Sequence, residues 1–319
     1  VGLLTTFGME IEFQDNAELL VEKTHMLYPE LLPSDSLHSY HCDCNNCMSR
    51  TVTLRAQRDS SCSGELITKV FNENEFSEFV EVLDCLQEVA VEVDAVPGTN
   101  AGVHVHVVPV TENFLQCHEL LWQFMRWEDA VIRLANGRFP GLRPMNTSVQ
   151  ESNLYNLHTL WYDYAPEGEA RRRELSGFSE YVKKIDALPS TLEVEVGQPR
   201  GATREWWLAN LFNNHYEADR HSNLAIRTRH DTWEFRVWNS TRSAWRWEMY
   251  AKMSLLLGNY EFMSNLKDVE VPSDPDEALA VLHPLVGARD ERLGELMGKQ
   301  IAYQNSANYG WTDFYQVSR

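Results

Sequence analysis

The stretch Phe7-Gly8-Met9-Glu10-Ile11-Glu12-Phe13 sets the strictest condition on any fold this chain can adopt. Its apolar residues Phe7, Met9, Ile11 and Phe13 fall at every second position, the period of a β-strand. Glu10 and Glu12 therefore share the opposite face, with Cα atoms about 7 Å apart. Two carboxylates on one face of an otherwise apolar strand need solvent or cations as compensation. A lone pair of this kind fits a half-solvated edge strand.

Other stretches favour cations. Ala101 to Pro109 reads as a strand whose valines alternate with His104 and His106. Asn223 to Arg229 and Thr232 to Trp238 read as a hairpin across His230-Asp231, with Trp233, Phe235 and Val237 on one face and Glu234 and Arg236 on the other. Asp59 to Ile67 turns into a short apolar strand that begins with Glu65. Taken singly, two histidines in a strand suit a core, and Glu with Arg suits a cross-strand ion pair. Three such faces converging in one sheet are hard to sustain without bound ions. Carboxylates with one His can hold two or more Mg²⁺ or Mn²⁺, and Arg236 favours an anion bridging them. Divalent metals with an arginine are what phosphoryl transfer requires, because they neutralise charge on the transferred group.

Charge narrows the partners. A formal net charge of −19 over 319 residues argues against non-specific binding to nucleic acid or anionic membranes, which needs excess Lys and Arg. Arginines between Arg133 and Arg246 suit bidentate capture of carboxylate or phosphate. No run of about 18 consecutive apolar residues occurs, and no apolar leader precedes the first strand, so neither a membrane span nor secretion is expected. Cys42, Cys44 and Cys47 crowd together near His38 and His41, with Cys62 and Asp59 shortly after. Such spacing suits metal ligation or reduced thiols better than a disulfide framework, which points to a reducing, cytoplasmic setting. Cys42, Cys44, Cys47 and Cys62 could fill a tetrahedral structural Zn²⁺ site, although the spacing is not that of a standard finger.

Helical periodicity organises the remainder. Helices are expected over Ala17 to Tyr28, capped by Asp15 or Asn16, over Glu75 to Val91, and from a cap at Thr111 to Leu134. Further helices are expected near Phe178 to Ile185, over Thr203 to Tyr216, as one long helix over Ser243 to Leu266, and over Asp276 to Leu282 and Asp290 to Tyr303. Asn136 to Ala170 is turn-rich and aromatic, the segment best suited to face a substrate. Arg171-Arg172-Arg173 reads as a solvated charge run, and Glu193 and Glu195 as an exposed strand face.

FGMEIEF, DSSCSGELIT, AGVHVHV and TWEFRVWNST, in that order and over most of the chain, resemble the amidoligases related to glutamine synthetase and glutamate-cysteine ligase. The resemblance implies an α+β fold: a curved, mostly antiparallel β-sheet funnel of glutamine-synthetase type, backed by helices. It implies one catalytic domain over 1–319, with a Cys/His-rich insertion at 34–64 and a C-terminal helical extension at 268–319. It also implies an ATP-dependent carboxylate-amine ligase, in which the γ-phosphoryl moves to a carboxylate and an amine displaces phosphate from the acyl phosphate. By the same resemblance Glu12 and Glu65 hold one metal, and Glu10, His104 and Glu234 a second between the ATP phosphates. His106 lines the nucleotide side, Arg236 contacts the phosphoryl group or the carboxylate, and Arg229 or Arg227 adds a phosphate contact. The carboxylate substrate and amine acceptor are unnamed by this resemblance.

Three other readings share these residues. A cupin-type enzyme would bind one metal with the two histidines, a Glu soon after them and a later His, but Val107-Val108-Pro109-Val110 follows His106. A nucleotide-binding relative without turnover would have no need of the full ligand set. A phosphotransferase would use the same site without an amine acceptor.

Overall fold

The alternation at the start of the chain forms strand β1 (Thr6–Phe13), and it lies inside a sheet, not at its edge. The computed structural model describes residues 5–39, 42, 44, 52–59, 62–98, 101–110, 114–137, 223–227 and 232–306. Among these, the other strands are β2 (Leu54–Gln57), β3 (Gly64–Thr68), β4 (Phe71–Asn72), β5 (Gly102–Val107), β6 (Leu224–Arg227) and β7 (Thr232–Asn239). The seven strands make one open antiparallel sheet in the order β2-β3-β1-β5-β7-β6, with β4 alongside β1. The fold is α+β, with helices α1 (Ala17–Leu27), α2 (Phe76–Glu92), α3 (Phe114–Asn136), α4 (Ala244–Leu257), α5 (Tyr260–Asn265), α6 (Pro275–Arg289) and α7 (Glu291–Gln304) among the described residues.

Period-2 alternation divides the sheet into two unlike faces. Phe7, Met9, Ile11, Leu66, Val103, Val105, Val107, Trp233 and Phe235 are buried and join the helices in one core. Phe7 packs edge-on to Phe79 of α2 with ring centroids 4.9 Å apart, and Phe235 meets Phe124 of α3 at 5.6 Å. Helix α4 packs against β5, β1 and α2, while α6 and α7 pack on α3 and α4. The C-terminal helices thus share the core of the sheet. The acids and imidazoles lie on the other face.

Several local expectations change. Helix α1 begins after Asn16, but Asn16 does not cap it. Its backbone is left-handed (φ 62), and its side-chain amide donates to Val93 O and Asp94 O, tying the start of α1 to the end of α2. The long helix expected over Ser243 to Leu266 breaks into α4 and α5 at Gly258-Asn259. Gly258 O accepts from Val110 N–H at 2.9 Å, and Asn259 Oδ1 caps Phe262 N–H at 3.0 Å. A side chain at 258 would also crowd Val107 Cγ1, 3.0 Å from an added Cβ. The segment expected as an insertion, 34–64, contributes β2, which pairs with β3 in the main sheet. The expectations for Thr111, Cys47, Arg229, 138–170, Arg171-Arg172-Arg173, 178–185, Glu193, Glu195 and 203–216 lie outside the described residues. No helix among the described residues is long and apolar enough to cross a membrane.

Asp290 links the last two helices to the core. Its carboxylate caps Leu293 N–H at 2.9 Å and accepts from Lys252 Nζ of α4 at 2.8 Å. Burial raises its pKa, but Lys252 and the cap outweigh this and hold it below the ordinary 3.8. Its stabilising effect is therefore present above that value and lost as pH falls through the lower folded one. Asp290→Ala is expected to cost about 1 kcal/mol, read as a lower denaturant midpoint at neutral pH, with the difference from wild type fading below about pH 4.

Candidate metal and anion site

Four neighbouring strands contribute one row of ionisable side chains through direct register. Glu12 of β1 lies opposite Glu65 of β3, and Glu10 of β1 lies opposite His104 of β5. His106 of β5 lies opposite Glu234 of β7. Residues directly opposite on adjacent strands project to the same side, so the three expected strand faces and Glu65 meet on one surface.

His104 occupies the middle of this row. Its Nδ1 lies 3.1 Å from Glu10 Oε2 and 3.4 Å from Glu234 Oε1, and its Nε2 lies 3.6 Å from Glu12 Oε1. His106 Nε2 lies 3.2 Å from Glu10 Oε1 and 4.0 Å from Glu234 Oε1. Glu10, His106 and Glu234 offer three donor atoms within 4.8 Å of one another, the spacing a metal ion can bridge. Sequence reading paired Glu10 and Glu234 with His104; the geometry brings His106 to the same carboxylates.

A β-bulge shapes the β7 side of the site. Val105 pairs with Phe235, but Val103 pairs with Trp238, so β7 carries one extra residue opposite β5. The extra residue resets the alternation after Phe235. Trp238 then joins the helix side, stacking on Tyr250 with centroids 4.8 Å apart and donating to Ser254 Oγ at 2.9 Å. Arg236 sits within the bulge and donates from Nη1 to Glu234 Oε1 at 2.5 Å. The arginine expected to hold an anion is thus paired along its own strand with a candidate metal ligand.

Neighbouring histidines hold Glu10 down, while burial and nearby carboxylates push Glu65 up. Burial raises the Glu10 pKa, but His106 and His104 more than offset it and hold the carboxyl well below the ordinary range. Burial pushes Glu65 up, the charges of Glu10, Glu12 and Asp59 add to this, and a hydrogen bond from Gln57 opposes it; the result is about 9. A carboxyl that keeps its proton because it is buried beside other carboxylates is one a divalent cation would ionise. The donor set, carboxylate oxygen with imidazole nitrogen, suits Mg²⁺ or Mn²⁺.

Several supporting groups escaped sequence reasoning. Gln57 of β2 lies opposite Glu65 and donates to its Oε1 at 2.5 Å. Gly102 N–H donates to Glu12 Oε2 at 2.6 Å, and Thr232 Oγ1 lies 3.2 Å from His106 Nδ1. Thr232 could have been found, since it stands two residues before Glu234 and shares its face. Gln57 needed the register of β2 on β3. Asp59 lies close enough for its charge to raise both Glu65 and Cys62. Arg227 belongs to β6, its backbone opposite Thr232. Arg229 lies outside the described residues.

The four expected zinc ligands do not form one group among the described residues. Cys42 and Cys44 cluster with His38, whereas Cys62 is absent from that group and donates its thiol to Gly64 O at 3.4 Å. Burial, with the charges of Glu12, Asp59 and Glu65, pushes the Cys62 thiol up to about 12, so it stays protonated on the acidic side of the sheet. Cys62 lies two residues before β3, within reach of the charges of Glu12, Asp59 and Glu65. Cys47 lies outside the described residues.

No protein-family model matches the chain, and no curated protein matches it. The geometry of the site therefore carries the functional argument.

Proposed function

We propose that the chain is an ATP-dependent carboxylate-amine ligase that forms an amide bond through an acyl phosphate, on a sheet of glutamine-synthetase type. The observation that carries this reading is the row Glu65, Glu12, Glu10, His104, His106 and Glu234 aligned across four strands on one sheet face. Mg²⁺ or Mn²⁺ bound with ATP would neutralise charge on the phosphates and on the transferred phosphoryl group.

The chain's own residues have distinct parts in this reading. Glu12 and Glu65 form one donor group, and Glu10, Glu234 and His106 a second. His104, with one ring nitrogen against Glu10 and Glu234 and the other facing Glu12, keeps the two groups in fixed relation. Thr232 and Gln57 orient His106 and Glu65 from behind. Arg236 supplies positive charge beside Glu234, suited to the substrate carboxylate or the transferred phosphoryl group. Among the described residues, Gly8, opposite His106, would meet only Lys69 O at 3.6 Å and Thr68 Oγ1 at 3.9 Å if given a side chain. The fold does not demand glycine there, whereas a nucleotide beside His106 would use the room.

The open sheet supports this reading over a single-metal cupin site, because the charged groups are mainly carboxylates spread over four strands. In the ligase reaction a carboxylate oxygen attacks the γ-phosphorus and ADP leaves. An amine then attacks the acyl carbon, and phosphate leaves with loss of the amine proton.

The test is release of ADP and phosphate from Mg-ATP in the presence of pooled carboxylates, amino acids and polyamines, with mass spectrometry of the products. Acceptor-dependent ADP release and a product lighter by one water than its summed precursors are expected. ADP release with a stable phosphorylated product and no amine requirement would replace the ligase by a phosphotransferase. No ATP binding at all would overturn the nucleotide reading.

A further inference from the structure

The side-chain cluster on the outer side of β2 has no part in the chemistry above. His38 Nδ1 lies 3.5 Å from Cys42 Sγ and also 3.5 Å from Cys44 Sγ. The three donor atoms fall within 4.8 Å of one another, and no disulfide engages either cysteine. We propose that His38, Cys42 and Cys44 bind a structural Zn²⁺ that fastens the segment before β2 to the edge of the sheet.

Three observations converge on this site. First, tetrahedral bonds of about 2.0 Å to nitrogen and about 2.3 Å to sulfur place the two ligand atoms about 3.5 Å apart, and both sulfurs stand at that separation from the same nitrogen. A hydrogen-bonded pair of thiols explains this less well. Nδ1 has one in-plane lone pair and can accept one S–H, whereas a metal between the three atoms uses that lone pair once. Second, His38 Nε2 is hydrogen-bonded to Ser34 Oγ at 2.8 Å. Ser34 Oγ donates its one proton to Ser36 O at 3.3 Å, so it accepts from His38 Nε2–H and leaves Nδ1 unprotonated and aimed at the sulfurs, as for metal-bound imidazoles generally. Third, Cys44 N–H points at Cys42 Sγ at 3.5 Å, a contact that favours thiolate.

Mixed imidazole and thiolate donors select zinc over Mg²⁺, which keeps this site separate from the carboxylate row. On binding, both thiols release their protons to solvent, and two thiolates with a neutral imidazole balance the charge of Zn²⁺. The mechanical consequence follows from the backbone. His38 N–H donates to Ala56 O at 3.1 Å and Arg58 N–H donates to His38 O at 2.8 Å, so His38 lies along the outer edge of β2. Gln57, between those two contacts, is the residue that donates to Glu65. Zinc at His38 thus supports an otherwise open strand edge and, through Gln57, one carboxyl of the proposed site.

The test uses the full chain, stripped of metal under reducing conditions and titrated with Zn²⁺ or Co²⁺ alone. Wild type is expected to retain one zinc per chain through dialysis and to show a thiolate-to-cobalt charge-transfer band. That band should vanish in Cys42→Ser and in Cys44→Ser and persist in Cys85→Ser and Glu234→Gln. Ser34→Ala, which leaves every donor in place, should weaken zinc binding about 10- to 100-fold in competition with a chelating dye. This keeps the test decisive if the cysteine variants fail to fold. Absence of the band from wild type, or wild-type zinc affinity in Ser34→Ala, would overturn the proposal. Persistence of the band in both cysteine variants would do the same. None of these outcomes depends on ligase activity.

Discussion

Glu12→Gln is expected to reduce acceptor-dependent ADP release by about 10³-fold or more while making the metal-free protein more stable than wild type at the alkaline pH where Glu65 ionises. These opposite changes share one cause. Glu12 Oε2 accepts from Gly102 N–H at 2.6 Å, and glutamine keeps an acceptor oxygen for that bond. What it removes is a negative charge, one of those that push the neighbouring Glu65 upward. Without metal, once Glu65 is ionised, less charge repulsion stabilises the fold; with metal, a ligand is gone. Steady-state turnover and denaturant unfolding in chelator provide the two readouts. Turnover at the wild-type rate would remove Glu12 from the site, and a large loss of stability would make its role structural. Glu234→Gln provides the contrast. It should lose activity similarly but also lose about 3 kcal/mol of stability, because Glu234 is fully buried and paired with Arg236.

Metal binding near pH 7 is expected to release about one proton per chain, and Glu65 is its source. Its carboxyl stands at about 9 in the folded, metal-free protein, against an ordinary 4.5. Between those values the folded chain keeps a proton that the unfolded chain has lost. The contribution of Glu65 to stability is therefore fully present below 4.5 and is lost as pH rises through the folded value. A divalent cation reverses the preference, so metal affinity should rise over the same window. Calorimetric titration with Mn²⁺ in two buffers of different ionisation enthalpy measures the released protons. Glu65→Gln keeps an acceptor for Gln57, so it should abolish the release and flatten this part of the stability profile. An unchanged proton count in Glu65→Gln would place the titrating group elsewhere.

How legible the site was depended on the distance over which each feature is specified. Glu10 with Glu12, His104 with His106, and Glu234 with Arg236 were each readable, because a two-residue period is a property of five or six consecutive residues. Their meeting on one face also followed, once the strands were taken to share a sheet. Which histidine meets which carboxylate did not follow. His104 and Glu10 are 94 positions apart, and a slip of one residue in their pairing would move either partner to the opposite face. The bulge in β7 was equally hidden, since Trp233, Phe235 and Val237 continue an unbroken alternation through it. The zinc ligands show the same limit. Cys62 was grouped with Cys42 and Cys44, but it lies just before β3 beside the acids, while His38 occupies the place beside the other two.

The sequence by itself determined β1, β3, β5, β6 and β7, most of the described helices, the division of the sheet into an apolar and an ionisable face, and the residue types that make the site. These follow from side-chain periodicity, burial preference and local capping, which act over one or two turns or a single strand. Only the tertiary structure decided that β1 is internal, that Gln57 and Thr232 support the acids and imidazoles, and that Gly258 ends α4. It also decided that the carboxyls of Glu10 and Glu65 are driven in opposite directions. Those outcomes depend on which strands become neighbours and on how far each charge lies from the next, and chain connectivity does not specify either distance.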